Sequence, residues 1–258
     1  MARAKKSLGQ NFLTDSVAVH RIVRSFDAKV GQQIIEIGPG RGALTSALIA
    51  SSANVIAVEF DRDMVAVLEQ KYSAATNFSL LQGDILRTQI DDCFPAGPVR
   101  IIGNLPYNIS SPILFHLLDQ KNRMSDCYFM LQREVVERIV ASPGNKQYGR
   151  PSVVLQRSFE VSTDISISPE SFTPPPKVHS AMLRMIPRAT PLGGDLDEKQ
   201  FRRLTTAAFS QRRKTLRNTL KGLLSKEQIE SAGIDPGARA ETLDVLGFAA
   251  LTRLLEVE

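Results

Sequence analysis

The sequence predicts an α/β protein: a mostly parallel sheet with an antiparallel hairpin at one edge, followed by a small all-α domain. Three observations lead there. From residue 32 to residue 141, short apolar runs alternate with segments of helical period, the pattern of strands joined by crossover helices. The strand runs are apolar throughout rather than alternating, as a sheet covered on both faces requires. After PRATPLGGD (187–195), which reads as a linker, residues 197–258 are helical in period, with breaks at Gly233 to Gly237 and near Gly247. The expected division is one domain over 1–189 and a second over 190–258.

The elements follow in order. QQIIEIG (32–38) is a strand ending in glycines, ALTSALIAS (43–51) a helix and NVIAVEF (54–60) a strand. RDMVAVLEQKY (62–72) is a helix with Asp61 as its N-cap, because a short carboxylate can accept from the free N–H groups of a first turn. NFSLLQGD (77–84), VRIIGN (99–104) and CYFMLQ (127–132) are strands, and SPILFHLLD (111–119) and REVVERIVA (133–141) are helices. SVVLQRSFEV (152–161) and HSAMLRMI (179–186) then read as two strands with no long helix between them. Their connection contains SPESFTPPPKV (168–178), so they can lie antiparallel at the sheet edge.

Composition narrows the class. The 258 residues suit one large domain, or a domain with an appendage. A hydrophobic share of 43% with 23% charged residues is ordinary for a soluble globular protein. No apolar run approaches the roughly 20 residues of a membrane helix, and MARAKKSLGQ lacks the apolar core of a secretory signal. A cytoplasmic protein with no membrane partner is expected. Cys93 and Cys127 stand far apart with no Cys or His at metal spacing, so they read as reduced packing residues and no metal site is expected.

The first strand runs into Glu36-Ile37-Gly38-Pro39-Gly40-Arg41-Gly42 and then a helix. Glycines at alternating positions let the backbone turn tightly and approach a ligand, which makes Gly38 and Gly40 candidate contacts. Glu59 ends the second strand, where a carboxylate can accept both hydroxyls of a ribose, and Asp84 ends the third, where it can accept from an adenine amine. Each feature alone can be structural; on successive strands they indicate a nucleoside-containing cofactor. The pattern resembles the class I, Rossmann-like S-adenosylmethionine methyltransferases, whose first motif is an acid followed by G-x-G-x-G. NAD stays open as a second cofactor, although it favours G-x-G-x-x-G.

The fourth strand ends in Asn104-Leu105-Pro106-Tyr107. An adenine amine is a poor nucleophile because its lone pair is delocalised into the ring. Two acceptors, the Asn104 side-chain oxygen and the Leu105 carbonyl, can draw it toward tetrahedral geometry. Pro106 stiffens the turn, and Tyr107 offers a face on which the base can stack. Attack on the sulfonium methyl is then a matter of positioning, with no tuned general base. His20, His116 and His179 fit that reading, since they join no catalytic constellation. A base inside a helix must be flipped out to reach such a site and gains from a second stacking face. Phe172 is the candidate; its alternative role is to anchor the proline-rich loop to the core.

Charge is uneven. Residues 199–226 carry nine basic side chains and no acidic one, within a net charge of +5, which suggests a polyanionic partner. EKQFRRLTTAAFSQRRKTLRNTLKGLL (198–224) is expected as a basic helix whose Arg212, Arg213, Lys214, Arg217 and Lys221 contact RNA phosphates. A solvated helix face remains the alternative.

Eight stretches in order complete a resemblance. They are LGQNFLTD (8–15), EIGPGRGALT (36–45), QGDIL (82–86), GNLPYNISSPIL (103–114), LQREVVERI (131–139), FTPPPKVHSA (172–181), AFSQRRKTLRN (208–218) and IDPGARAETL (234–243). Together they resemble the small-subunit ribosomal RNA adenine dimethyltransferases, the bacterial enzymes whose loss gives kasugamycin resistance. The resemblance implies S-adenosylmethionine contacts by Asn11, Leu13, Gly38, Glu59, Asp84 and Asn104. It also implies dimethylation of the N6 amines of two adjacent adenosines near the 3′ end of 16S rRNA, a 30S subunit or its precursor as partner, and a link to late subunit biogenesis. Residues 1–189 would then be catalytic and 190–258 an rRNA-docking domain, in an enzyme expected to be a monomer. Two alternatives stand beside it: an Erm-type methyltransferase acting on 23S rRNA, and a ribosome-assembly factor with secondary catalysis.

Overall fold

A computed structural model describes residue 5 and residues 9–255. Leu8 of the first matched motif and most of MARAKKSLGQ lie outside the described residues. The chain separates into two compact units, one comprising residues up to Val136 together with Ser162–Pro187, the other Glu137–Val161 together with Arg188 onward.

The first unit begins with β1 (Phe12–Leu13) and α1 (Ser16–Phe26), neither of which the sequence reading placed. Asp15 caps α1, its carboxylate accepting from Val17 N at 2.8 Å and Ala18 N at 3.3 Å. Ala18, Ile22 and Phe26, four residues apart, put one helical face into the core.

Then follow β2 (Gln33–Ile37), α2 (Thr45–Ala50), β3 (Asn54–Glu59), α3 (Arg62–Lys71), β4 (Phe78–Gln82), α4 (Ile90–Cys93), β5 (Val99–Asn104), α5 (Ser110–Leu118) and β6 (Met124–Gln132). Asp61 caps α3 as expected, accepting from Asp63 N at 3.1 Å. Next come α6 (Arg133–Val140), α7 (Arg150–Ser158), β7 (Phe159–Ile167), β8 (Phe172–Thr173) and β9 (Ser180–Pro187). The seven-stranded sheet has the order β4-β3-β2-β5-β6-β9-β7; β4 to β6 are parallel, and β9 runs antiparallel to β6. Ile34, Ile35, Ile101, Ile102, Phe129 and Leu131 are all buried, which is why their strands read as unbroken apolar runs. The β1 and β8 strands pair apart from this sheet, Leu13 opposite Phe172.

The expected strand over 152–161 is corrected: α7 occupies Arg150–Ser158 and β7 starts at Phe159. Ser152, Val153, Val154, Leu155, Arg157 and Ser158 are all buried, polar and apolar residues alike, so the helix sits inside the fold rather than on its surface.

The second unit contains α7, α8 (Glu198–Ala208), α9 (Leu216–Thr219), α10 (Lys226–Ser231) and α11 (Val245–Thr252). Phe201, Leu204, Phe248 and Leu251 form its apolar interior. The Arg157 guanidinium is buried there, ion-paired with Glu198, bonded to Gly194 O at 2.9 Å and 4.9 Å from the Phe201 ring centroid. The single basic helix expected over 198–224 is also corrected, because α8 stops at Ala208. Leu216 N donates instead to Ala238 O (2.8 Å) and Arg217 N to Pro236 O (3.0 Å), so the backbone there bonds across the unit instead of along a helix.

Candidate active site

Strand order reverses between β2 and β5, and the crevice beyond their carboxyl ends is where open α/β sheets bind ligands. A cavity of about 300 Å³ lies there, lined by the glycine turn, the ends of β3 and β4, the Asn104-Leu105-Pro106-Tyr107 corner and residues 9–12. Gly103 lets this corner form: a Cβ on it would stand 2.4 Å from the Ile37 carbonyl oxygen, closer than any side chain is tolerated.

Gly38 and Gly40 both line the cavity. Gly40 has φ +56° and its N–H donates to Glu59 Oε2 at 3.0 Å. Glu59 Oε1 accepts from Asp61 N at 2.8 Å. Burial raises the pKa of the Glu59 carboxyl, and the bonds from Asp61 and Gly40 work against that. A carboxylate has about four acceptor positions, so beside these bonds and one from the Phe60 N–H it keeps capacity for a hydroxyl. Asp84 lines the β4 end of the cavity, and its Oδ1 accepts from Leu86 N at 3.0 Å. Asn11 lines the same space. Leu13 does not: it is buried in the core and touches a smaller recess beneath the glycine turn.

The Asn104 amide donates through Nδ2 to the Asn11 carbonyl at 3.0 Å. A carbonyl can only accept, so that contact commits the nitrogen and leaves Oδ1 as the cavity's acceptor. Leu105 N donates to Met130 O at 3.2 Å, tying the turn to β6. The Tyr107 ring lines the cavity while its hydroxyl lies 2.5 Å from Ser180 Oγ. Asn104, Leu105 and Tyr107 are thus brought together as expected. Phe172 is not: it is 2% exposed, in the core cluster beside Leu13, and does not line the cavity. In this conformation it anchors the loop, and stacking on a base would require it to leave the core. None of the three histidines lines the cavity.

Glu36 lies fully buried below the glycine turn, held by Thr45 Oγ1 at 2.6 Å. Burial pushes its carboxyl up to about 7.

In the second unit, Arg212, Arg213 and Lys214 are exposed on the loop between α8 and α9, Arg217 is exposed on α9, and Lys221 follows it. Arg212 is engaged by Glu241 at 3.4 Å and the Lys146 carbonyl at 2.5 Å. Arg213, Lys214, Arg217 and Lys221 make no ion pair among the described residues, so their charge is open to solvent.

The sequence profile of the family described as ribosomal RNA adenine dimethylase matches residues 1–256. The chain belongs to that family. Relatives of this dimethylase include the ribosomal RNA small subunit methyltransferases A of Pseudomonas aeruginosa and Thiobacillus denitrificans. The first is 46% identical over 98% of this chain and 95% of its own length; the second is 47% identical over 99% of each. Among solved structures, a dimethyladenosine transferase from Plasmodium falciparum superposes with a TM-score of 0.76 at 24% identity, over 93% of this chain and 95% of that one. The 23S rRNA methyltransferase ErmE gives 0.72 at 24% identity, over 95% and 99%. These two likenesses establish the Rossmann-like fold.

Three features of the dimethylase site escaped the sequence reading. Phe60, directly after Glu59, is 62% exposed and lines the cavity, offering a flat apolar face there. Lys5 and Gln10 bond the Asp61 carboxylate at 2.5 and 2.8 Å, fastening the N-terminal segment across the β3 end. Burial disfavours the Asp61 anion, but these bonds outweigh it and its pKa is lowered. The third is Ser180. An aromatic ring after a strand-ending acid was the one available signal, for Phe60; the other two depend on contacts distant in sequence.

Proposed function

We propose that this dimethylase transfers methyl groups from S-adenosylmethionine to the N6 amines of two adjacent adenosines in the 3′-terminal hairpin loop of 16S rRNA, within the small ribosomal subunit or its precursor. It acts as a cytoplasmic monomer in late subunit biogenesis. The observation that carries this reading is the Asn104 amide, which lines the cavity with Tyr107 and whose nitrogen bonds the Asn11 carbonyl, leaving its oxygen as an acceptor for the target amine.

The residues present suit the methyl donor. Glu59 supplies a buried acceptor for ribose hydroxyls, Asp84 an acceptor for the adenine amine and Phe60 a face for the adenine ring, while Gly38, Gly40, Asn11 and Asn104 hold the remainder. When bound, the donor supplies an electrophilic methyl on a sulfonium. Asn104 Oδ1 and the Leu105 carbonyl accept the two N–H groups of the target amine and aim its lone pair. Tyr107 stacks on the base and excludes water from one face. The product ammonium is acidic enough to lose its proton to water. Arg213, Lys214, Arg217 and Lys221 hold rRNA phosphates, giving affinity and register without reading sequence, together with Arg212 once it leaves Glu241.

The similar scores of the dimethyladenosine transferase and ErmE leave the choice of rRNA to the sequence relatives, which favour the small subunit. The deciding experiment mixes the protein with labelled S-adenosylmethionine and unmodified small subunits, digests the RNA and separates nucleosides. Label in N6,N6-dimethyladenosine from 16S rRNA is expected. Label only in 23S rRNA offered in parallel would replace this reading with the Erm type. No label with tight subunit binding would replace it with an assembly factor.

A further inference from the structure

Ser180 opens β9, is completely buried, and faces Gln132 across the ladder with β6. Its hydroxyl and that of Tyr107 lie 2.5 Å apart. Tyr107 stands on the turn after β5, where Ile109 N donates to Pro106 O at 3.1 Å. The ring is therefore held at both ends: its Cβ by a closed turn, its hydroxyl by a sheet strand. Burial raises the pKa of the phenol and the bond to Ser180 opposes that, so the hydroxyl stays neutral at physiological pH.

We infer that Ser180 is a positioning residue that fixes the long axis of the Tyr107 ring against tilting, and that this fixed axis lets the site accept an adenine already carrying one methyl group. The inference rests on the proposed dimethylation. An unmethylated amine offers two N–H groups to two acceptors, Asn104 Oδ1 and the Leu105 carbonyl. A monomethylated amine keeps one N–H and forfeits one of those bonds, so stacking on Tyr107 carries more of its orientation. In that second transfer the nitrogen lone pair forms the new N–C bond as the S–C bond breaks, its electron pair leaving on the thioether sulfur. The last N–H proton then passes to water. A ring free to tilt slows this transfer more than the first.

The test compares Ser180→Ala, Tyr107→Phe and the double variant, scoring the ratio of N6-methyladenosine to N6,N6-dimethyladenosine at equal extents of first transfer. Each single change removes the same hydrogen bond. Each is expected to raise the ratio about tenfold, equivalent to about 1.4 kcal/mol, and the double variant to raise it no further. Ser180→Thr, which restores the hydroxyl, should return the ratio toward the wild-type value. Ratios unchanged in both single variants, or effects that multiply in the double one, overturn the assignment. If Ser180→Ala does not fold, Tyr107→Phe reads the same bond from its other end. A wild-type protein that makes no methyladenosine defeats the dimethylation reading itself; one that makes dimethyladenosine, with variants that match it, defeats only the role of Ser180.

Discussion

Glu36 makes the stability of the sheet depend on pH in a direction opposite to that of an ordinary surface carboxylate. Its side chain is 1% exposed, and burial lifts its pKa from 4.5 to about 7; the Thr45 hydroxyl opposes the rise and the nearby Glu59 charge adds to it. The folded state therefore holds a proton that the unfolded chain has already released. Stability from this group is fully present below pH 4.5 and is lost as pH climbs through 7. At 1.36 kcal/mol per pKa unit the full effect is about 3 kcal/mol. Replacing Glu36 by Gln keeps an acceptor for Thr45 and removes the titration. The advantage of Glu36→Gln over the wild type should then grow by about 2–3 kcal/mol between pH 5 and pH 8. Urea unfolding of the ligand-free protein at both pH values, followed by circular dichroism, measures it. A constant offset between the two proteins would refute the reasoning, as would a Gln variant less stable than the wild type at pH 8.

Asn104→Ala removes one of two acceptors on the amine and should lower kcat for methyl transfer by about 10²–10³; a rate within threefold of the wild type would show that the amide does not hold the nucleophile. Glu59→Gln exchanges a buried charged acceptor for a neutral one, and calorimetry should show cofactor affinity falling about 10- to 100-fold, the range of about 1.5–3 kcal/mol for a hydrogen bond to a charged group. Replacing Arg213, Lys214 and Arg217 together by Ala should flatten the plot of log affinity for small subunits against log salt by about 2–3 units of slope, at 0.7–0.9 per phosphate contact. An unchanged slope would move rRNA docking elsewhere.

The parallel sheet was legible because its strands are apolar throughout, and the cavity because its chemistry sits where those strands end: Gly38 and Gly40 after β2, Glu59 at the end of β3, Asp84 after β4 and Asn104 at the end of β5. Apart from α1 and Phe60, what escaped depends on packing and on partners far along the chain. Helix α7 buries its polar Ser152, Arg157 and Ser158 together with its apolar residues, so no stripe of it faces solvent. Helix α8 stops at Ala208, and residues 215–217 beyond it bond to 236–239, a pairing no local propensity announces. Phe172 looks the same in sequence whether it stacks on a base or fills a core; only its pairing opposite Leu13 places it in the core. Helix α1 was the avoidable omission, since Asp15 followed by Ala18, Ile22 and Phe26 is a readable cap and stripe.

The chain enters its second unit twice, over Glu137–Val161 and again from Arg188. A cut at the linker near residue 189 would therefore not release a catalytic half and a docking half. It would strand α7, leaving the Arg157 guanidinium without the Glu198 carboxylate and the Phe201 ring that make its burial tolerable. Grafting the basic unit of one relative onto the sheet of another would likewise need two splices, because α7 and the C-terminal helices share one interior.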